Sequence, residues 1–190
     1  QPGEQIFNVG TTTVTLLVTD AASRTNSCSF TVTISDTQKP VVSGCPVNIS
    51  RAPNAGVCTA TVYWTEPTAT DNCTSSGSLT RVRSHAPGDV FIAGETTVTY
   101  TFEDAAGNVS DECSFTITVT DNQNPIIADC PSDISVNVDA GQCNAVVSWT
   151  EPTASDNCTD AGDITWTKSH TPGSTFNVGS TLVTYTAHDA

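Results

Sequence analysis

Eight cysteines hold most of the reactive chemistry in this chain, and their spacing is regular. Cys28, Cys45, Cys58 and Cys73 reappear as Cys113, Cys130, Cys143 and Cys158, each displaced by the same 85 positions. An even number of cysteines at fixed spacing suits disulfide formation, the usual way small units with modest cores are stapled in oxidising compartments. Free structural thiols are the plain alternative. Zinc is disfavoured, because no cysteine pair has C-x-x-C spacing and His85, His170 and His188 do not cluster in sequence.

Oxygen ligands are the second candidate chemistry. Thr120-Asp-Asn-Gln-Asn-Pro125 has the composition of a linker, and Asp104-Ala-Ala-Gly-Asn108 and Asp71-Asn72 precede it. Calcium takes six to eight oxygens from carboxylates and amides, so Asp71, Asp104, Asp121, Asn122 and Asn124 are its expected ligands. Turn formation by Asp and Asn is the competing reading. The earlier linker, Ser35-Asp-Thr-Gln-Lys-Pro40, carries Lys39 where an amide would serve a cation better. Four sequons, at Asn48, Asn72, Asn108 and Asn157, offer N-glycosylation, and Asn72 and Asn157 recur at the repeat period. The many Thr and Ser residues also permit O-glycans.

Catalysis finds little support. His85 and His170 occupy one repeat position, but no local signature supplies a nucleophile, base and orienting group together. Glu66 and Glu151 each follow a tryptophan at what reads as a strand end, a poor setting for an acid/base pair.

These residues must be positioned by strands. Thr11-Thr-Thr-Val-Thr-Leu-Leu-Val-Thr19, Thr96-Thr-Val-Thr-Tyr-Thr-Phe102 and Ser114-Phe-Thr-Ile-Thr-Val-Thr120 alternate polar and apolar residues at period two. That pattern predicts half-buried antiparallel strands. Strands are expected near 47–52, 58–65, 79–84, 96–103 and 113–120, with a short one before Cys45. Trp64, repeated as Trp149, is expected at the centre of each core, the alternative being an exposed sugar-stacking ring. Six or seven short strands with Gly and Pro between them make an all-β fold of tandem immunoglobulin-like or fibronectin-like sandwich modules with disulfides. Residues 1–20 match both 86–105 and 171–190, with Pro2-Gly3, Pro87-Gly88 and Pro172-Gly173 in register. The expected domains are 1–35, the C-terminal part of a first module; 36–120, a complete module; and 121–190, a third module lacking its last strand. A chain with these ends and no methionine reads as a mature piece of a longer protein.

The balance of 6 basic against 20 acidic residues gives a formal charge of −14, which repels nucleic acid and anionic membranes and favours cations. No apolar run approaches the length of a membrane span, so no membrane insertion is expected.

The repeat resembles the hyalin-repeat (HYR) family. The residues that carry the resemblance are Pro125-Ile-Ile-Ala-Asp-Cys-Pro131, Gly141-Gln-Cys143, Trp149-Thr-Glu-Pro-Thr-Ala-Ser-Asp-Asn-Cys158, Phe176-Asn-Val-Gly-Ser-Thr181 and Asp104-Ala-Ala-Gly-Asn108 with Cys113-Ser-Phe-Thr-Ile-Thr-Val119. The resemblance implies an extracellular immunoglobulin-like module of adhesive or matrix proteins, found in tandem arrays and without a shared catalytic activity. The linkers also resemble those of cadherins. In a sandwich of this kind the preferred pairing is Cys45 with Cys113 and Cys58 with Cys73, hence Cys143 with Cys158. The rival joins Cys45 to Cys73 and Cys58 to Cys113, and spacing alone leaves both open. The expected function is an extracellular structural or adhesive repeat protein forming a stalk or fibre, by self-association or against a matrix or cell-surface partner, with calcium at the junctions and no other cofactor. The alternative is a carbohydrate- or protein-binding accessory module of a larger secreted or surface protein.

Overall fold

The computed structural model describes residues 5–189. Among them every extended element is a strand, and the one helical feature is a single 3-10 turn at Ser76–Ser78. The first repeat contributes β1 (Gly10–Thr19) and β2 (Thr25–Ile34), an antiparallel hairpin in continuous register from Gly10 opposite Ile34 to Thr19 opposite Thr25. The second contributes β3 (Val41–Ser43), β4 (Ile49–Arg51), β5 (Thr59–Thr61), β6 (Thr68–Thr70), β7 (Thr80–Arg83), β8 (Val90–Ile92), β9 (Gly94–Glu103) and β10 (Cys113–Val119). The third contributes β11 (Ile126–Ala128), β12 (Asn144–Val147), β13 (Thr153–Ser155), β14 (Thr165–Lys168), β15 (Ser174–Asn177) and β16 (Tyr185–His188).

The internal repeat is visible in the pairing itself. Val42 faces Ala69 as Ile127 faces Ala154; Ala60 faces Phe91 as Ala145 faces Phe176; Arg81 faces Phe102 as Trp166 faces Ala187. Strands β4, β10, β9 and β7 form a four-stranded sheet in that order, and the fold is a tandem of β-sandwich modules. The strands expected from periodicity are present, most of them somewhat shorter, while β9 begins two residues earlier, at Gly94. Two that sequence reading passed over, β6 and β8, are three-residue segments enclosed by Pro67, Gly88 and Gly94, too short for alternation to register.

The chain divides into two compact units. The first takes the residues up to Ile49, Tyr63–Asp89 and Thr96–Ile117; the second takes Ser50–Val62, Val90–Glu95 and the residues from Thr118 onward. In the first unit the core is Val98, Tyr100 and Phe102 of β9 with Cys113, Phe115 and Ile117 of β10, all buried, alternating with exposed or half-exposed neighbours. Each such side chain contributes about 1.5–3 kcal/mol relative to leaving it in water. In the second unit Ala60, Val62, Phe91, Val119, Ala145 and Ile164 are buried. The buried faces of β9 and β10 are therefore supplied by period-two alternation, as Thr- and Val-rich strands dictate, while β1 and β2 remain mostly exposed.

Trp64 and Trp149 are half-buried rather than sealed within a core. The Trp64 indole N–H donates to Tyr100 Oη (2.7 Å), and its ring meets Phe115 edge-on at 5.5 Å. Tyr100 Oη in turn donates to Glu66 Oε1 at 3.3 Å, and Glu66 is held by Arg81 at 2.7 Å and by Arg83. The third repeat builds the same chain: Trp149 to Tyr185 (2.8 Å), Tyr185 to Glu151 (3.2 Å), and Lys168 to Glu151 (2.8 Å). Glu66 and Glu151 are thus anchors for a tyrosine hydroxyl, buried at Tyr100 and half-buried at Tyr185, a role that sequence reading left unassigned.

Candidate functional site

The carboxylates expected to bind cations are positioned by three kinds of loop. Asp104 follows β9 and closes a tight turn, its Oδ1 accepting the amides of Ala106 and Asn108 at 2.8 Å each and its Oδ2 accepting Asn108 Nδ2 at 2.8 Å. The turn needs a left-handed residue, supplied by Gly107 at φ 87°. In the first repeat Asp20 makes the same turn, with Ser23 at φ 62° in the corresponding place. Asp71 Oδ2 accepts the amides of Cys73 (2.9 Å) and Thr74 (2.8 Å), and buried Thr74 Oγ1 accepts the amide of Ala105, tying this loop to the Asp104 turn. Asp36, on the linker, accepts the amide of Gln38 at 3.1 Å, and its carbonyl accepts Asn108 Nδ2.

These three loops bring one carboxylate oxygen each from Asp36, Asp71 and Asp104 within 4.8 Å of one another. Asp121, Asp156 and Asp189 form a second such group. The two triads lie at the same repeat positions, 85 residues apart. Oxygens bound to one calcium at 2.3–2.6 Å lie no more than about 5 Å apart, so the spacing fits. Asp36 Oδ2 and Asp71 Oδ1 are buried and reached by no N–H or O–H donor among the described residues, and a buried polar atom without a partner is costly. The donor set is all oxygen, which selects a hard cation such as calcium over zinc.

Electrostatics follow from these contacts. Burial opposes ionisation of Asp104, yet hydrogen bonds from the Asn108 side chain and from the amides of Asn108, Ala106 and Gly107 hold its carboxyl below the ordinary 3.8. Asp156 is likewise lowered: burial opposes, and the amides of Cys158, Thr159 and Asn157 outweigh it. The Cys73 thiol is pushed up, first by lost solvation and then by the charges of Asp36 and Asp71.

Of the residues expected to bind calcium, Asp71 and Asp104 fall in one carboxylate cluster and Asp121 in the other. The expected set centres on the second linker, whereas the carboxylates cluster once in the second repeat and once in the third. Asn122 and Asn124 are exposed on the linker, and the other carboxylates come from Asp36, Asp156 and Asp189, which sequence reading missed. Recurrence of Asp at three positions in two repeats was the available signal. Lys39 does not intrude on the first triad, because its ammonium pairs with Asp111 at 3.1 Å.

The cysteines meet expectation in one pair and depart from it in the other. Cys45 is bonded to Cys113 with Cα atoms 5.7 Å apart. Cys58, however, is bonded to Cys158 of the following repeat, Cα atoms 4.6 Å apart, and not to Cys73. Cys28, Cys73, Cys130 and Cys143 are exposed thiols, so neither the Cys58–Cys73 and Cys143–Cys158 pairs nor the rival scheme is formed. The physical reason is sheet membership: Cys58 opens onto β5, which pairs with β8, while Cys73 follows β6, which pairs with β3.

Among the sequons, Asn48 and Asn72 are exposed, whereas Asn108 and Asn157 are half-buried. Asn157 donates to Val57 O at 3.2 Å, and Asn108 is committed to Asp104 and Asp36. The histidines lie beside hydroxyls that serve strands: Ser84 Oγ accepts the Thr99 amide next to His85, and Ser169 Oγ accepts the Thr184 amide next to His170. His188 Nε2 contacts Thr167 Oγ1 at 3.1 Å.

Strand pairings, carboxylate triads and cysteines repeating at one period define a tandem β-sandwich repeat protein. The HYR domain family matches residues 1–34, 35–119 and 120–190, and the chain belongs to that family. Hyalin of Strongylocentrotus purpuratus is 38% identical over 99% of the chain and 16% of its own length. Hyalin of Lytechinus variegatus is 38% identical over 99% of the chain and 35% of its own length. The sushi, von Willebrand factor type A, EGF and pentraxin domain-containing protein 1 of Rattus norvegicus is 37% identical over 84% of the chain and 4% of its own length. The chain thus spans about a third or less of the curated relatives it matches. No helix among the described residues is long and apolar enough to cross a membrane.

Proposed function

We propose that this chain is a segment of an extracellular structural or adhesive array, in which calcium bound by one carboxylate triad per repeat stiffens each module. The observation that carries the reading is the equivalence of the repeats. The second and third present the same triad, and the same Trp–Tyr–Glu chain, at the same positions. An enzyme concentrates its chemistry in one site, whereas a scaffold multiplies one module. The serines beside His85 and His170 accept strand amides, which supports a structural role for those pairs. The tryptophans hydrogen-bond inward to tyrosine, which supports a stalk over a sugar-stacking surface. The likeness to hyalin supports an extracellular setting, and the cystines fit an oxidising one. Asn48, exposed at the start of β4, is the sequon best placed to carry a glycan.

In this reading Asp36, Asp71 and Asp104 hold one calcium, and Asp121, Asp156 and Asp189 another. Calcium titration of the chain, followed by melting temperature and calorimetry, tests it. Calcium is expected to raise the melting temperature with two sites per chain, and Asp104→Asn to remove one of them. No calcium-dependent stabilisation up to about 10 mM, beyond the weak extracellular range of 10⁻⁴–10⁻³ M, refutes the calcium assignment. Electron microscopy of the native material with and without chelator tests the array. Regular filaments with a module repeat are expected, and discrete globular particles refute it.

A further inference from the structure

We infer that the second cysteine of each repeat is a covalent link to the third cysteine of the repeat that follows, so that successive modules are cross-linked by disulfides as well as joined by the chain. The bond between Cys58 and Cys158 is the formed instance, spanning a sequence separation of 100. A hydrogen bond from Asn157 Nδ2 to Val57 O, at 3.2 Å, runs beside it between the same two loops.

Both halves of the link are built features that recur. Cys58 leaves a tight turn in which the Asn54 amide donates to Thr59 O (2.7 Å) and the Val57 amide to Asn54 O (3.2 Å). Cys143 leaves the same turn one repeat later, where the Asp139 amide donates to Asn144 O (2.8 Å) and the Gln142 amide to Asp139 O (2.9 Å). Cys158 is presented by a loop whose amides at Cys158 and Thr159 donate to Asp156 Oδ1 at 3.2 and 3.1 Å. Cys73 is presented by the matching loop on Asp71, and Asn72 donates to the Cys73 sulfur as Asn157 does to that of Cys158. Each repeat therefore carries one cysteine of the Cys58 kind and one of the Cys73 kind. The exposed thiols of Cys73 and Cys143 are the matching ends for a preceding and a following repeat, an extension that rests on the array reading.

Bond formation is a two-electron oxidation. A thiolate of one cysteine attacks a disulfide-bearing oxidant, protein or small molecule, and expels one of its sulfurs as thiolate. The second cysteine thiolate then displaces the other oxidant sulfur from the mixed disulfide, leaving the cystine and a reduced dithiol, the two cysteine protons passing through solvent to the expelled sulfurs. The closed Cys58–Cys158 bond makes cleavage of the linker between the repeats insufficient to separate them.

The test is a disulfide map of the 190-residue chain secreted through an oxidising compartment, alkylated without reduction, digested and read by mass spectrometry. The expected map pairs Cys58 with Cys158 and Cys45 with Cys113, with Cys28, Cys73, Cys130 and Cys143 alkylated. Cys58 paired with Cys73 and Cys143 with Cys158 overturns the inference while leaving the array untouched. Two variants keep the outcome readable if one folds poorly. Cys58→Ser is expected to make Cys158 alkylatable without changing Cys73, and Cys73→Ser to leave Cys58 protected; release of Cys58 in the second variant overturns the link. In native full-length material Cys73 and Cys143 are expected to be alkylated only after reduction, and their free alkylation confines the link to Cys58 and Cys158 and overturns its extension. If electron microscopy shows no array while the Cys58–Cys158 peptide is present, the array reading fails and the link stands.

Discussion

Removal of one hydroxyl, in Tyr100→Phe, isolates the bond chain that closes the second repeat. Tyr100 is fully buried and accepts the Trp64 indole N–H at 2.7 Å while donating to Glu66 at 3.3 Å. Glu66 keeps Arg81 and Arg83 after the substitution, so the carboxylate remains compensated. The indole N–H loses its acceptor, and a partly buried unsatisfied donor costs about 1–3 kcal/mol. The expected destabilisation is therefore about 2 kcal/mol, a roughly 30-fold change in the folded-to-unfolded ratio. Tyr185→Phe removes the same two bonds, but Tyr185 is only half-buried and water can replace the lost hydroxyl, so its cost is expected below about 1 kcal/mol. Urea unfolding followed by circular dichroism reads both, the midpoint moving at unchanged slope. A double-mutant cycle with Trp64→Phe is expected to return most of the Tyr100 cost as coupling. Equal costs in the two repeats, or no coupling to Trp64, refute the assignment of the energy to the indole bond.

Replacing both Cys45 and Cys113 with Ala opens a loop of separation 68, for which the chain-entropy relation gives roughly 4 kcal/mol; a urea-derived cost below about 1 kcal/mol refutes that cystine as a main staple. Glu151 is held below its ordinary 4.5 mainly by the Lys168 hydrogen bond, and Asp104 and Asp156 are held below 3.8. Groups depressed in the folded state contribute stability above their unfolded values and lose it as pH falls through the folded ones. The urea midpoint is thus expected to decline below about pH 4, and a midpoint rising as acid is added contradicts the sign. In a glycosylating host, Asn48→Gln is expected to remove a glycan mass from the secreted chain, and intact-mass spectra that do not change exclude Asn48 as an acceptor.

Much of the fold is legible in the residues because period-two alternation is a local signal. The Thr and Val runs of β9 and β10 specify strand and buried face together, whereas the run of β1 forms its strand but leaves Leu16, Leu17 and Val18 exposed, against the half-buried expectation. β6 and β8 escaped because three residues between turn formers cannot display a period. The disulfides divide along the same line. Cys45 and Cys113 flank one module, where topology constrains them. The partner of Cys58 lies a sequence separation of 100 away, and choosing Cys73 assumed that each repeat closes upon itself. The oxygen clusters were half legible: Asp71, Asp104 and Asp121 stand in recognisable turn motifs, but sequence proximity grouped them around a linker, while the fold gathers side chains from three distant loops.

Loop chemistry connects the carboxylates to the cystines. Asp156 serves both: it belongs to the second triad, and its Oδ1 holds the amides that present Cys158. Asp71 does the same for Cys73. Unit charges about 5 Å apart repel by roughly 3 kcal/mol at the effective dielectric near a protein surface, so a bare triad works against the loops that form it. The amide hydrogen bonds to Asp104 and Asp156 offset part of that repulsion by stabilising the ionised carboxylates. A divalent cation would offset the rest, and in doing so would fix the loop from which the inter-repeat cystine leaves. Under the calcium proposal, cation binding and covalent linkage would be successive constraints on one loop, the first setting the direction of the cysteine and the second making the junction permanent.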